Sequence, residues 1–330
     1  MTNAESSVLS DGRFQYAEVE GWAKLPPEVT LGEVAAVAVD SADTAFLFNR
    51  GEHPVVVLNR EGDVLRTFGH GVFKHPHGLH IGPDGCLYCT DDGDHTVRQC
   101  TPEGRVVLEI GVPGKPAPFM SGQPFHCCTH TALSPQGDIY VSDGYGNACI
   151  HKFAPDGRLL TTWGRSGCAA GEFFVPHNLV CDEEGWVYVA DRENHRVQVF
   201  DGEGNYETQW NNLHRPCALC RSPQGLFYVG ELGTFLAPCL NFPNLGPRLV
   251  VLDALGNPLA RLSAGPAGLG PGRFIAPHGI AVDSRGDVYV GEVSRSAWPW
   301  IFPNTPAPPV IPSLHKLRCL NQATKSSDGS

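Results

Sequence analysis

This 330-residue chain contains three Pro-His dipeptides, and histidine is a residue type that commonly binds metal ions. His77, His177 and His278 each open an apolar segment, and the segments read PHGLHIGPDGCLYCTD, PHNLVCDEEGWVYVAD and PHGIAVDSRGDVYVGE. Imidazole is a common ligand of zinc and of other divalent transition metals, and three histidines leave a coordination position open for water or substrate. Whether the three side chains meet depends on the elements that carry them.

These segments belong to an internal repeat. Weaker copies are EVAAVAVDSADTAFLFN from Glu33, CTHTALSPQGDIYVSD from Cys128 and PCALCRSPQGLFYVGE from Pro216. Each copy reads as an apolar strand, a turn rich in Gly, Asp or Pro, and a second strand that ends on an acidic or amide residue; two further strands usually follow. Six copies of four short strands, spaced roughly 40–55 residues apart, predict an all-β fold, the six-bladed β-propeller.

The two ends of the repeat array indicate how the ring closes. Residues 13–25 precede the first copy and read as a lone strand, while the last copy ends in SLHKLRCL with little left for a fourth strand. We expect the N-terminal strand to complete the last blade, which removes the exposed sheet edges. The predicted organisation is a disordered tail over 1–12, a propeller over 13–320 and a disordered tail over 321–330.

Aligned on the turn that follows the first strand, the six copies place the histidines at one repeat position. That position holds, in chain order, Ala35, His77, Thr129, His177, Cys217 and His278. Alternate blades of a six-bladed ring are related by about 120°, so three side chains from blades 2, 4 and 6 converge on the axis. A structural cap shared by all repeats is the alternative, but such a consensus would not skip every second blade. The spacing therefore predicts a metal site.

The loops after each second strand lie at the same end of the ring as the histidines. They contain Arg50, Tyr145 and Arg192, together with two long insertions over 233–248 and 294–312 that are dense in Pro and aromatic residues. Long loops on one face of a scaffold are usually functional, so a substrate lid is expected; rigid surface padding is the alternative. Two arginines beside a water-binding metal predict a small anionic, carboxylate-bearing substrate.

The composition excludes several other classes of protein. Lys and Arg total 24 against 35 Asp and Glu, and the net charge of −11 argues against nucleic acid or an anionic membrane as partner. No apolar stretch is long enough to span a bilayer. The N-terminus shows no secretory signal, and the 12 cysteines are scattered, several of them within apolar strands. We therefore expect mostly reduced thiols and a cytoplasmic protein.

The repeat resembles the NHL family of propellers, most clearly in VYVADRENHRVQVFDGEG. The motifs FNRGEH, PHGL, SDGYGN, VPHNL, ADREN and the final PHG together resemble peptidyl-α-hydroxyglycine α-amidating lyase, the lyase domain of peptidylglycine α-amidating monooxygenase, over about residues 31–290. The resemblance implies an NHL propeller with zinc on its axis. It assigns zinc to the three histidines, the role of catalytic base to Tyr145, and places in the substrate site to Arg50 and Arg192.

The chain departs from this family at several positions. Ala276 stands where the family has a Met, and Gly279 stands where an Asp supplies a structural calcium ligand, so calcium is not expected. The family's disulfide beside the catalytic tyrosine is absent, because Gly146 follows Tyr145 and His126 occupies the place of the partner cysteine. His126 either contacts substrate and alters the chemistry near Tyr145, or only packs.

Three functions remain open at this point. The first is a zinc-dependent lyase that cleaves an N-acyl or N-carbamoyl α-hydroxyglycine to an amide and glyoxylate or a related carbonyl acid. In it Arg192 holds the carboxylate, and Tyr145, with its pKa lowered by Arg50 and the metal, takes the hydroxyl proton. The second is a zinc hydrolase of a lactone, ester or amide, and the third is a non-catalytic NHL binding scaffold.

Overall fold

The computed structural model describes residues 8–321, which form a ring of six antiparallel sheets. The chain begins with β1 (Val8–Asp11) and β2 (Phe14–Glu18) and then builds one blade after another. Blade 1 contains β3 (Glu33–Val39), β4 (Ala45–Arg50), β5 (Val55–Leu58) and β6 (Val64–Phe68), and blade 2 contains β7 (Pro76–Ile81), β8 (Leu87–Asp91), β9 (Thr96–Cys100) and β10 (Val106–Gly111).

The next three blades repeat this pattern of four strands. Blade 3 contains β11 (His130–Leu133), β12 (Ile139–Asp143), β13 (Cys149–Phe153) and β14 (Leu159–Trp163). Blade 4 contains β15 (Pro176–Cys181), β16 (Val187–Asp191), β17 (Arg196–Phe200) and β18 (Tyr206–Trp210). Blade 5 contains β19 (Pro216–Arg221), β20 (Phe227–Glu231), β21 (Arg248–Leu252) and β22 (Pro258–Leu262).

Blade 6 closes the ring with strands from both ends of the chain. It contains β23 (Pro277–Val282), β24 (Val288–Glu292) and β25 (Leu314–Cys319), followed by β2 and β1 in that order across the sheet. Glu18 of β2 lies opposite Leu317 of β25, and the innermost strand β23 contacts β3 of blade 1. The six-bladed NHL-type propeller and its closure by the N-terminal strand are confirmed.

The prediction of a disordered tail over 1–12 is wrong for residues 8–12. Gly12 has a φ of +56° in the hairpin turn between β1 and β2, and Leu9 is only 2% exposed because it packs into the core between blades 5 and 6. An apolar anchor and a tight turn thus give the edge of blade 6 a fifth strand. Residues 1–7 and 322–330 of the two predicted tails lie outside the described residues.

The turn between the first two strands of a blade is set by a short polar motif. In blade 4 one carboxylate oxygen of Asp182 accepts hydrogen bonds from the amides of Glu184 (3.0 Å) and Trp186 (2.8 Å). Gly185 lies in the left-handed region at φ +92°, which a residue with a side chain rarely adopts. This turn holds the inner strand against its neighbour at the face opposite the histidines.

The core lies between neighbouring blades rather than inside any one of them. The cluster between blades 4 and 5 packs Tyr188, Trp210 and Phe227 together, with ring centroids 4.6–5.1 Å apart. Burying one such side chain stabilises the fold by about 1.5–3 kcal/mol. Since each blade packs on two others, the positions of the inner strands around the axis are fixed.

No helix in the described part of the chain is long and apolar enough to span a membrane.

Candidate active site

The three repeat histidines converge on the axis of the ring. His77, His177 and His278 begin the inner strands of blades 2, 4 and 6, and their side-chain nitrogens lie within 4.8 Å of one another. Their ring centroids are 4.7–4.9 Å apart, and the three residues are only 1–5% exposed. The convergence expected from alternate blades is present in the structure.

A β-bulge turns each histidine toward the axis. The pairing of the first two strands shifts register between Pro76 and Gly78 in blade 2, and it shifts at the equivalent positions of blades 4 and 6. The histidine is the unpaired residue each time, and a bulge re-aims a side chain in this way. The preceding proline has no N–H to donate, so it fits the first position of a strand.

Backbone carbonyls of the odd-numbered blades determine which nitrogen of each imidazole carries the proton. Nδ1 of His77 donates to the carbonyl oxygen of Thr129 at 2.7 Å. The Nδ1 atoms of His177 and His278 bond in the same way to the carbonyls of Cys217 (2.8 Å) and Ala35 (2.7 Å). A carbonyl only accepts, so the proton sits on Nδ1 and each Nε2 keeps its lone pair. Burial lowers the pKa of all three histidines well below the ordinary value, which keeps them neutral.

Tyr145 reaches the same point from a loop of blade 3. Its hydroxyl lies 3.0 Å from Nε2 of His77, 2.9 Å from Nε2 of His177 and 3.4 Å from Nη1 of Arg192. One phenolic proton can serve only one of the two imidazole acceptors, and Nε2 of His278 makes no hydrogen bond to any described residue. Converging lone pairs with too few protons make a donor set that fits a divalent cation.

The arginine beside the Tyr145 hydroxyl is Arg192, not the expected Arg50. Desolvation of its hydroxyl, which lies against the buried histidines, raises the pKa of Tyr145 above its ordinary value, and the guanidinium that opposes this increase belongs to Arg192. The guanidinium carbon of Arg192 lies 5.5 Å from the centre of the tyrosine ring. Arg50 is held elsewhere on the cavity wall, and sequence position alone did not reveal which arginine contacts the phenol.

The loop that carries Tyr145 depends on a glycine. A Cβ at Gly146 would collide with the imidazole of His126, and the Gly146 amide donates to the His126 carbonyl at 2.9 Å. The His126 amide in turn donates to Asp143 at 2.9 Å, and its Nδ1 donates to the carbonyl of Ala117 at 2.6 Å. His126 therefore packs beneath the loop, and it is not among the residues that line the cavity. The structure does not support the predicted contact of His126 with substrate.

Arg50 ends β4 and joins three parts of the site. Its Nε donates to the carbonyl of Pro76 at 2.9 Å, directly before His77, and its Nη1 lies 3.2 Å from Glu33. The other carboxylate oxygen of Glu33 accepts the Ser296 amide at 2.6 Å. Sequence analysis missed Glu33, although an acidic residue at the start of an inner apolar strand is unusual enough to serve as a signal.

Arg192 lies in a short 3-10 turn directly after β16. Its Nε donates to Glu193 at 2.8 Å, and Glu193 also pairs with Arg215. Burial would lower the pKa of Arg192, but Tyr145, Cys217 and Glu193 outweigh burial and raise it. The guanidinium is therefore cationic, and it lies beside the Tyr145 hydroxyl that contacts His77 and His177.

A cavity of about 190 Å³ lies above the histidines, and the two insertions form its outer wall. Its polar side includes Arg50, Tyr145 and Arg192, while the apolar side consists of Leu232, Phe235, Ala276, Val293, Ala297 and Trp300. Residues Ser294–Ile301 form the helix α1, which sequence analysis did not predict because Pro299 stands inside it. The rings of Phe235 and Trp300 are nearly parallel, with centroids 6.4 Å apart. The insertions therefore contribute side chains to the site.

The structure leaves no place for the family's calcium ligand. A Cβ at Gly279 would lie 2.6 Å from Cα of Ala36 and 2.9 Å from the amide nitrogen of Val37. Blade 6 thus packs directly against the backbone of blade 1 where an aspartate would project. The residues here do not fit a structural calcium ion.

A second buried cluster is Asp143, Cys149 and His151 in blade 3. Nε2 of His151 lies 3.3 Å from the carboxylate of Asp143, which also accepts from the amide of His126. The same arrangement recurs in blade 4, where Asp191 accepts from the amide of Phe174 and pairs with Arg196. This cluster is the structural cap of the repeat.

Comparison with known proteins places the chain in a family. The NHL repeat model matches residues 125–153 and 175–200. Human NHL repeat-containing protein 3 is 30% identical over 297 residues, covering 83% of this chain and 80% of that protein. The chain therefore belongs to the family of NHL-repeat propellers that contains NHL repeat-containing protein 3 and the peptidyl-α-hydroxyglycine α-amidating lyases.

Enzymes are among its relatives. The Caenorhabditis elegans protein named probable peptidyl-alpha-hydroxyglycine alpha-amidating lyase is 36% identical over 155 residues, covering 44% of this chain and 42% of that protein. Mouse peptidyl-glycine alpha-amidating monooxygenase is 29% identical over 329 residues, and the match spans 87% of this chain but only 32% of the monooxygenase. Among solved structures, a gluconolactonase from Xanthomonas campestris covers 96% of the chain with a TM-score of 0.60 at 12% identity, which shows a shared fold.

Proposed function

We propose that this protein is a metal-dependent lyase that cleaves the C–N bond of an N-acyl or N-carbamoyl α-hydroxyglycine, yielding an amide and glyoxylate or a related carbonyl acid. The observation that carries the proposal is the meeting of three unprotonated Nε2 atoms, the Tyr145 hydroxyl and two arginines around one cavity. The names of the worm and mouse relatives support the same class of reaction.

The metal ligands in this proposal are His77, His177 and His278. An all-imidazole set suits zinc, and other divalent transition metals accept it as well. A cation bound there would supply Lewis acidity, lowering the pKa of the substrate's carbinol hydroxyl. The carbonyls of Thr129, Cys217 and Ala35 keep each Nε2 aimed at the axis, as outer partners of metal-ligating histidines do.

The substrate carboxylate is assigned to Arg192. This guanidinium lies beside Tyr145, and a planar guanidinium binds a carboxylate through two parallel hydrogen bonds. Arg50 lines the same cavity, and its Nη2 forms no hydrogen bond within residues 8–321. It adds positive potential where negative charge develops on the carbinol oxygen, the role assigned to a preorganised cation in catalysis.

Tyr145 is proposed to move the proton. Its hydroxyl hydrogen-bonds to Nε2 of His77 and of His177, so it would lie within reach of the carbinol hydroxyl of a substrate in this cavity. As the carbinol O–H bond breaks, the carbon–oxygen double bond of glyoxylate forms and the C–N bond breaks. The electron pair of the C–N bond stays on nitrogen, which takes back the proton and becomes the amide. No oxidant, reductant or water is consumed.

The test is a product assay with the zinc-loaded protein. N-acetyl-α-hydroxyglycine should give glyoxylate and acetamide in equal amounts above a protein-free blank. N-acetylglycine, which lacks the hydroxyl, should give neither product. Turnover of lactones or esters without glyoxylate would contradict the lyase and favour a hydrolase. No turnover combined with no zinc uptake would leave a binding scaffold.

A further inference from the structure

A second, larger cavity adjoins the candidate active site. It has a volume of about 530 Å³ and lies between the insertion over 233–248, the segment over 263–267 and Ile301 at the end of α1. Nothing in the proposed chemistry uses it. Its lining combines the apolar side chains Leu240, Phe242, Leu245, Pro247 and Ile301 with the polar Asn241, Asn244, Arg248 and Arg261. The charge of Arg248 is already paired with Glu231.

The two cavities share one wall. Leu232, Phe235 and Trp300 line the cavity above the histidines, whereas the intervening Gly233 and Thr234 and the adjacent Ile301 line the larger one. The wall therefore consists of two short segments, one from each insertion. A substrate that reaches past the Phe235–Trp300 pair would therefore extend toward the larger cavity.

The arrangement of charge sets the orientation of a substrate. Arg50 and Arg192 line the smaller cavity beside Tyr145 and His278, so a carboxylate placed there leaves the rest of the molecule to extend toward the insertions. On that side Trp300 is 62% exposed and Phe242 is 57% exposed. Large apolar side chains exposed beside a site favour a ligand that covers them.

The guanidinium of Arg215 lies 4.2 Å from the centre of the Phe235 ring. Arg215 is 8% exposed and is held by Glu193, so the aromatic wall has a rigid support on one side. A preorganised wall loses little conformational entropy when it binds a flexible chain.

We propose that the larger cavity is a subsite for an apolar acyl group on the substrate nitrogen. This proposal rests on the proposed function, because it assumes that the carboxylate end occupies the arginine side. The occupant is an alkyl or arylalkyl chain, which covers the apolar surface of the two insertions and extends past Trp300. An acetyl group is too short to extend past the wall that the two cavities share, so it does not reach the larger cavity.

The experiment compares N-acetyl-, N-hexanoyl- and N-decanoyl-α-hydroxyglycine with the zinc-loaded protein. Complete burial of one methylene corresponds to about a fourfold gain in kcat/KM. Since the cavity is open to solvent, we expect at least a tenfold gain from acetyl to hexanoyl. In Ile301→Arg the ratio of kcat/KM for the decanoyl compound to kcat/KM for the acetyl compound should fall toward one, because a charged side chain then occupies the cavity. Leu255→Arg, at an exposed turn of blade 5, should keep the wild-type ratio.

The outcomes separate the two proposals. Turnover of the acetyl compound with no dependence on chain length would overturn the subsite and leave the lyase intact. Equal rates for N-hexanoyl- and hydrophilic N-glycylglycyl-α-hydroxyglycine would overturn it as well. If no α-hydroxyglycine is turned over, the lyase fails, and calorimetry with N-acetyl- and N-decanoylglycine decides the subsite. Tighter binding of the decanoyl compound, weakened in Ile301→Arg, would then support the subsite, and equal binding would overturn it.

Discussion

Blades 2, 4 and 6 and blades 1, 3 and 5 use the same repeat position for different purposes. The even-numbered blades place an imidazole on the axis, and the next blade contributes the backbone carbonyl that receives its Nδ1 proton. A backbone carbonyl is present whatever the side chain, so the odd blades hold Ala35, Thr129 and Cys217 at this position. The comparison teaches that the repeat provides six equivalent positions, and that alternate blades use them either for a histidine that we propose as a metal ligand or for the carbonyl that orients it.

Removal of one even-blade histidine should have the largest effect. In His177→Ala we expect zinc binding more than a hundredfold weaker, because loss of even an outer partner costs 10- to 100-fold. Glyoxylate release should fall to the blank. Elemental analysis and the product assay measure both effects, and His70→Ala, an exposed histidine, is the control. Full zinc content in His177→Ala would contradict the proposal that the even-numbered blades supply the metal ligands.

Tyr145 shows that an odd blade contributes chemistry through a loop rather than through its inner strand. In Tyr145→Phe we expect kcat to fall by about 10²- to 10⁴-fold, the usual range for loss of a general acid–base group. Zinc content should stay at the wild-type level. Tyr206→Phe is a matched control, because Tyr206 and Tyr145 are both 37% exposed. A kcat within a factor of three of wild type would remove Tyr145 from the mechanism.

Blade 6 should be sensitive to pH in a way that blades 4 and 5 are not. In blades 4 and 5 the acidic cap pairs with an arginine, but in blade 6 His315 lies between Glu18 of β2 and Glu292 of β24, at 2.6 and 3.3 Å. Burial alone would lower the pKa of His315, but the two carboxylates raise it to about 10.

A raised histidine pKa stabilises the fold below the unfolded value near 6.5, and this contribution is lost as the pH rises toward 10. We expect the contribution to be on the order of a few kcal/mol. The melting temperature of the wild type should therefore fall by a few degrees more than that of His315→Gln between pH 6.5 and 10. Equal falls in both proteins, measured by circular dichroism, would contradict the assignment.

The smallest effect is expected at an odd-blade side chain. Sγ of Cys217 lies 3.5 Å from Nδ1 of His177, yet the hydrogen bond that orients this imidazole comes from the Cys217 carbonyl. In Cys217→Ala we expect zinc affinity and kcat within about threefold of wild type, with Cys220→Ala as the control. Loss of zinc in Cys217→Ala would indicate that the thiol is a metal ligand, and it would contradict the proposal that the odd-numbered blades contribute only backbone carbonyls at this position.

Much of the fold could be predicted because it repeats. Turn motifs such as Asp182–Gly185, and apolar strands between them, are local features that recur in all six copies. β1 was missed because Leu9 is its only buried apolar residue and the surrounding segment is polar. α1 was missed because it contains Pro299, a residue that is disfavoured inside a helix. Neither segment has a second copy against which to align it.

The sequence by itself determined the propeller, its closure by the N-terminal strand and the set of residues at one axial position, because periodicity and the geometry of a ring leave few alternatives. Only the tertiary structure decided that Arg192 rather than Arg50 contacts Tyr145, that His126 packs beneath the tyrosine loop, and that the two insertions form an aromatic wall. These contacts join different blades through side-chain rotamers and irregular loops, and no repeat or local motif encodes such distances.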